Sequence, residues 1–119
     1  MIELIKDSSQ TCKRCEYLRT LIAKAEVRAK AKGLPATISL DTFKGVNNCQ
    51  LTGIPLIFES VNSLTKASLD RLNSNEGYTV ENTVLRCIGI NFAKGNMSEE
   101  EFLEFLHKVG RGEKRSLAT

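Results

Sequence analysis

Two short runs of β-compatible sequence, 67–71 (Ala-Ser-Leu-Asp-Arg) and 83–86 (Thr-Val-Leu-Arg), flank a polar connection that holds Asn73, Asn75 and Gly77. Glycine permits a positive φ and asparagine side chains bond neighbouring backbone groups, so this connection reverses the chain and the runs pair as an antiparallel hairpin. Residues 88–94 follow at once with helical composition, and Gly95 is suited to ending them. A second strand that runs directly into a helix fixes a small ββα unit. A chain of 119 residues has room for one domain with a modest core built around it.

The remaining sequence supplies two flanking helices. From Cys12 to Lys32, Leu18, Leu21, Ile22, Ala25 and Ala29 recur at helical spacing, and Gly33 and Pro35 close the segment. Ser39 is placed to cap a helical turn through Phe43, and Gly45 to Asn48 mark a break. Residues 55–59, apolar with Pro55 at the start, predict a short strand. Ser98-Glu99-Glu100-Glu101 has the form of a capping box and opens a helix over about 99–109. Phe102, Phe105, Leu106 and Val109 share one face of that helix and are assigned to the core. Gly110 is expected to stop it, leaving 110–119 as a flexible tail.

The expected fold is therefore α+β: an N-terminal basic helix over about 13–32, a core over 47–95 and a C-terminal helix, in one domain spanning 1–119. No apolar run approaches the roughly 20 residues that cross a bilayer, so a membrane partner is not expected. The first residues lack the pattern of a secretory signal, which makes a cytoplasmic location the default and the four cysteines thiols. Net charge is only +3, but its placement is uneven. Residues 1–34 carry eight basic side chains against four acidic ones, a balance of +4, and the other 85 sum to −1. On the first helix Lys24, Arg28, Lys30 and Lys32 form either a solvated surface or an attraction for phosphate.

Asp70 at the end of the first strand and Asn91 in the following helix offer two oxygens, which suits Mg²⁺ because that ion takes one or two protein groups and keeps waters. Such an ion stabilises charge on the leaving oxygen when a phosphodiester is cut. Asp70-Arg71-Leu72, the Gly77-Tyr78-Thr79 turn, Asn82, Cys87 and Asn91-x-x-Lys94 resemble the HNH, or ββα-metal (His-Me finger), endonuclease family of the phage type. The likeness extends upstream to Cys49-Gln-Leu-Thr-Gly-Ile-Pro-Leu and covers about residues 12–107.

The resemblance implies a metal-dependent DNA endonuclease, in the host cytoplasm if phage-encoded. Asp70 and Asn91 would hold a catalytic Mg²⁺ or Mn²⁺, Asn82 would brace the loop, and Lys94 would approach phosphate or stabilise the helix. Arg71 departs from the pattern, since it stands where the family has its water-activating histidine, and a guanidinium is no base at ordinary pH. Three accounts follow: Arg71 holds the scissile phosphate; Tyr78 serves as base if its ordinary pKa of about 10 is lowered; or the module binds DNA without cutting it. His107, the one histidine, lies outside the motif.

Related nucleases carry Cys-x-x-Cys pairs where this chain reads Cys49-x-x-Thr52 and Cys87-x-x-Ile90. Cys12 and Cys15 would complete a four-thiolate Zn²⁺ site with Cys49 and Cys87. The alternative makes Cys49 and Cys87 buried apolar residues and leaves Cys12 and Cys15 as free thiols or a redox pair. A zinc-stapled protein-interaction domain is a third functional class.

Overall fold

The computed structural model describes the backbone of residues 13–118 and the side chains as far as Arg111. Helix α1 spans Lys13–Ala31. Leu18, Ile22, Ala25 and Ala29 are its buried residues, at the i, i+4, i+7, i+11 spacing that keeps one stripe inward. Leu21, on the shoulder of that stripe, is partly buried. The helix closes as the Leu34 amide donates to the Ala29 carbonyl and the Gly33 amide to that of Lys30, the paired bonds of a Schellman end. A 3₁₀ turn, Leu40–Phe43, buries Phe43 beneath α1. Arg14 ties this turn down by donating to the Phe43 and Val46 carbonyls while its guanidinium lies 4.7 Å from the Phe58 ring centre.

Strands β1 (Ala67–Arg71) and β2 (Thr83–Cys87) pair antiparallel with Asp70 opposite Val84 and Ser68 opposite Arg86. Side chains alternate between faces, so Ala67, Leu69, Leu85 and Cys87 share one face and join the α1 stripe in the core. Ser68, Asp70, Val84 and Arg86 share the other. Each buried leucine or isoleucine side chain in this layer contributes about 1.5–3 kcal/mol. Helix α2 (Ile88–Lys94) leaves β2 without a linker, and α3 spans Glu99–Ala118.

Three expectations are corrected. Residues 55–59 form no strand: Pro55 and Ile57 make isolated bridges to Asn48 and Lys66, because a segment beginning with proline, which lacks an amide donor, finds partners too scattered for a ladder. The last helix passes through Gly110 to Ala118. Glycine inside an exposed helix costs only about 1 kcal/mol, and Gly110 keeps a negative φ, whereas Gly95 ends α2 with φ at +52°. The apolar face of α3 is only partly core. Phe102 is fully buried, but Phe105 and Val109 remain exposed because the helix has already left the body of the protein at that point. Among the described residues no helix is long and apolar enough to cross a membrane.

Candidate functional site at the hairpin and helix

The loop from Leu72 to Asn82 is held by one asparagine. Asn82, 6% exposed, accepts from the Asn73 amide at 2.8 Å and donates to the carbonyls of Asn73 and Gly77 at 3.0 and 2.8 Å. Its amide thus serves as a second strand-like partner inside the loop, the bracing role expected of it. At the far side of the loop, a Cβ on Gly77 would stand 2.1 Å from the Pro35 carbonyl oxygen, so only glycine fits there. That approach lets the Tyr78 amide donate to Pro35 and the Thr37 amide donate to the Tyr78 carbonyl, which joins the loop to the segment following α1.

Asp70 and Asn91 are brought to the same end of the ββα unit. Asn91 lies in α2 beside β1, and its amide nitrogen donates to Ser68 Oγ and the Leu69 carbonyl. Because a carbonyl only accepts, this fixes the nitrogen toward the strand and leaves Oδ1 as the atom for a ligand. Asp70 is 6% exposed and belongs to a cluster of four charges. Its Oδ2 accepts from Arg86 at 2.8 Å, and its Oδ1 lies 3.3 Å from Lys94 Nζ. Glu99, at the start of α3, accepts from the same two cations at 2.6 and 3.1 Å. Lys94 Nζ also donates to the Arg71 carbonyl.

The cluster is electrically balanced, and its protonation follows from its geometry. Hydrogen bonding from Arg86 holds the Glu99 carboxyl below its ordinary 4.5, against the opposing effect of burial and with help from Lys94. For Arg86, burial favours loss of the proton, but the bonds and charges of Glu99 and Asp70 prevail and raise its pKa. Arg86 and Glu99 escaped the sequence reading. The signal for Arg86 is the register itself, since residue 86 is the diagonal neighbour of Asp70 on one sheet face. Glu99 carried no such mark, because the capping function belongs to Glu101, which accepts from the Ser98 amide.

Lys94 is therefore an internal cation, 6% exposed, rather than a group reaching outward for phosphate. Arg71, on the opposite sheet face from Asp70, turns toward α1. Its guanidinium lies 4.8 Å from the centre of the Tyr78 ring and donates to the Glu76 carbonyl. Tyr78 is 5% exposed, and its hydroxyl accepts from Arg28 Nε at 3.2 Å. The two faces meet at the mouth of a cleft of about 700 Å³, lined among others by Asp70, Arg71, Tyr78, Asn91 and Glu99.

The basic residues of α1 divide. Lys24 and Arg28 are exposed one turn apart on one side, whereas Lys30 is about 160° round the helix from Arg28 at 100° per residue, and Lys32 lies past the helix end. Of the four cysteines, Cys12 lies outside the described residues and Cys15 is half-buried on α1. Cys49 and Cys87 meet in the core, with the Cys87 amide donating to Cys49 Sγ at 3.4 Å. Burial works to raise the Cys49 thiol, but hydrogen bonds from Thr52, Cys87 and Leu51 outweigh it and bring the pKa from 9.0 to about 7. Burial and the neighbouring sulfur push Cys87 up. Among the described residues no three His, Cys, Asp or Glu side chains gather as a metal group.

Compared with known protein families, curated proteins and solved structures, the chain matches none.

Proposed function

We propose that this chain is a metal-dependent DNA endonuclease of the ββα-metal kind. The observation that carries the reading is that Asp70, at a strand end, and Asn91, bonded from the adjoining helix to the carbonyl of the residue before Asp70, line one cleft, with Asn82 bracing the loop between the strands. One carboxylate and one amide oxygen match the hard, partly hydrated coordination of Mg²⁺ or Mn²⁺. Bound there, the ion would neutralise charge on the phosphate and its leaving oxygen.

The chain's own residues orient this pair. Ser68 and the Leu69 carbonyl fix the Asn91 amide, and Arg86 fixes Asp70. Each carboxylate oxygen has a second lone pair, so a cation can share Asp70 with Arg86, and Lys94 retains Glu99 if its longer 3.3 Å contact with Asp70 is given up. Arg71 contributes positive charge and takes no proton. Exposed Lys24 and Arg28 supply sequence-independent attraction for the DNA backbone. Cys49 and Cys87 would provide two thiolates for a structural Zn²⁺, the low pKa of Cys49 favouring its ligand form, and a four-thiolate site would require Cys15 to move to join them.

A second reading, a DNA-binding module without cleavage, is favoured by the ion pairs that already engage both Asp70 oxygens. Supercoiled plasmid incubated with Mg²⁺ or Mn²⁺ separates the two. The nuclease relaxes or linearises the plasmid, EDTA stops it, and Asn91→Ala removes the activity while leaving the melting temperature near that of the wild type. If the wild type binds the plasmid and never cuts it, the binding module is the correct reading. Equal cutting by Asn91→Ala would remove Asn91 from the site.

A further inference from the structure

Two guanidiniums converge on one buried ring. Arg28, from α1, lies 5.6 Å from the Tyr78 ring centre and donates to its hydroxyl, and Arg71, from the end of β1, lies 4.8 Å from the same centre. Among the described residues, neither arginine forms an ion pair with a carboxylate. Arg28 is exposed and Arg71 half-buried at the cleft, so both are open to an anion from solvent.

The ring that gathers them cannot drift. Tyr78 is clamped through its amide and carbonyl to Pro35 and Thr37, and Gly77 beside it has no room even for a Cβ. Both guanidiniums lie within 5.6 Å of one ring centre, like charges repel, and among the described residues no carboxylate pairs with either. An anion reached by both would lower that repulsion and accept from the remaining N–H donors of two planar guanidiniums, groups suited to phosphate oxygens.

We propose that Arg28, Tyr78 and Arg71 form a clamp for a single backbone phosphate of DNA, distinct from the Asp70–Asn91 pair. The identification of the anion as a DNA phosphate rests on the nuclease reading above, while the clamp itself requires only an oxyanion. Tyr78 is a positioning residue: it fixes both guanidiniums and does not touch the phosphate. Arg71 lines the cleft beside Asp70 but faces the other way, and Arg28 is not part of the cleft's lining, so the clamp would seat its phosphate at the edge of the cleft and away from Asp70.

The test observes the arginine Nε–Hε signals of ¹⁵N-labelled full-length protein as inorganic phosphate is added. The Arg28 and Arg71 signals should shift together with one shared Kd. Arg28→Ala, a change on an exposed helix face, should weaken the Arg71 response about tenfold, the loss of a hydrogen bond to a charged group. In duplex-binding titrations against salt, Arg28→Ala with Arg71→Ala should lower the slope by about one phosphate in total, whereas two independent contacts would lower it by about two. Tyr78→Phe, which retains the ring and loses the bond to Arg28, should weaken phosphate without changing net charge. Separate Kd values, a response from one arginine alone, or none from either would overturn the clamp even if the protein cuts plasmid. A shared phosphate response in a protein that never cuts leaves the clamp standing and removes the nuclease reading.

Discussion

Replacing Asp70 by asparagine tests the charge cluster with almost no change in shape. The carboxylate sits between Arg86 and Lys94, and all three side chains are 7% exposed or less. Breaking a buried pair by removing one partner costs about 3–5 kcal/mol, chiefly because a charge is left uncompensated. Here Glu99 still pairs with both cations but leaves the cluster one positive charge in excess, and the new amide can keep one acceptor toward Arg86 at the expense of placing N–H donors against Lys94. The loss should therefore fall near the lower bound, about 3 kcal/mol, a large share of the roughly 5–15 kcal/mol of a typical domain.

The chain has no tryptophan, so urea unfolding is best followed by far-ultraviolet circular dichroism. With a slope of about 1–3 kcal/mol per molar, the midpoint should fall by roughly 1–3 M. Adding Lys94→Met removes one stranded cation, so the double variant should be more stable than the sum of the singles implies, by about 1–3 kcal/mol. An Asp70→Asn midpoint equal to the wild type would refute the view that this carboxylate holds the cluster together. The same instability means that lost cleavage in an Asp70 variant reports on chemistry only when its fold has been verified.

Acid should weaken the protein through Glu99. Its folded pKa lies below the unfolded value near 4.5, so its contribution is complete above that value and is lost as pH falls through the folded pKa. Glu99→Gln should flatten the acid limb of a stability profile, and an unchanged limb would exclude Glu99 as its source. Asn82→Ala leaves three backbone groups without their partner and should cost about 2–3 kcal/mol in thermal or urea unfolding. Thiolate absorbance near 240 nm should show a step near pH 7 that vanishes in Cys49→Ser; a step unaffected by the substitution assigns it to another thiol. Metal analysis of freshly purified, untagged protein should find one Zn²⁺ per chain if the thiols form a site, and its absence would reject that site.

The hairpin, the helix after it and both flanking helices were legible because each had a local cause: alternation, a turn rich in asparagine and glycine, or a capping box. The bracing role of Asn82 came from the family resemblance rather than from a local signal in the loop. What could not be read depended on distance in space. Lys94 was open to two roles, a phosphate contact or a stabiliser of its helix, and its ion pair with Asp70 depends on α2 folding against β1; Glu99 joins the cluster only because α3 begins beside α2. Phe105 and Val109 have the spacing of core residues, but spacing places them on a face without saying how far the helix extends beyond the body.

The pairing register sharpens the meaning of Asp70-Arg71. Adjacent strand residues face opposite ways, so Asp70 joins Arg86, Lys94 and Glu99 on the α2 side and Arg71 joins Tyr78 and Arg28 on the α1 side. Arg71 thus faces Tyr78 rather than the side of the sheet that carries Asp70. It is the end of a second constellation whose other arginine comes from 43 residues earlier in the chain. The dipeptide marks the seam between a balanced, buried charge cluster and a more accessible one that, among the described residues, has no carboxylate partner. On the proposed reading, phosphate would be drawn to the second, and a metal would compete with protein cations at the first. Cleavage by this fold would then depend on the Lys94–Asp70 contact, the longest of the cluster's four ion pairs, opening when DNA and metal arrive.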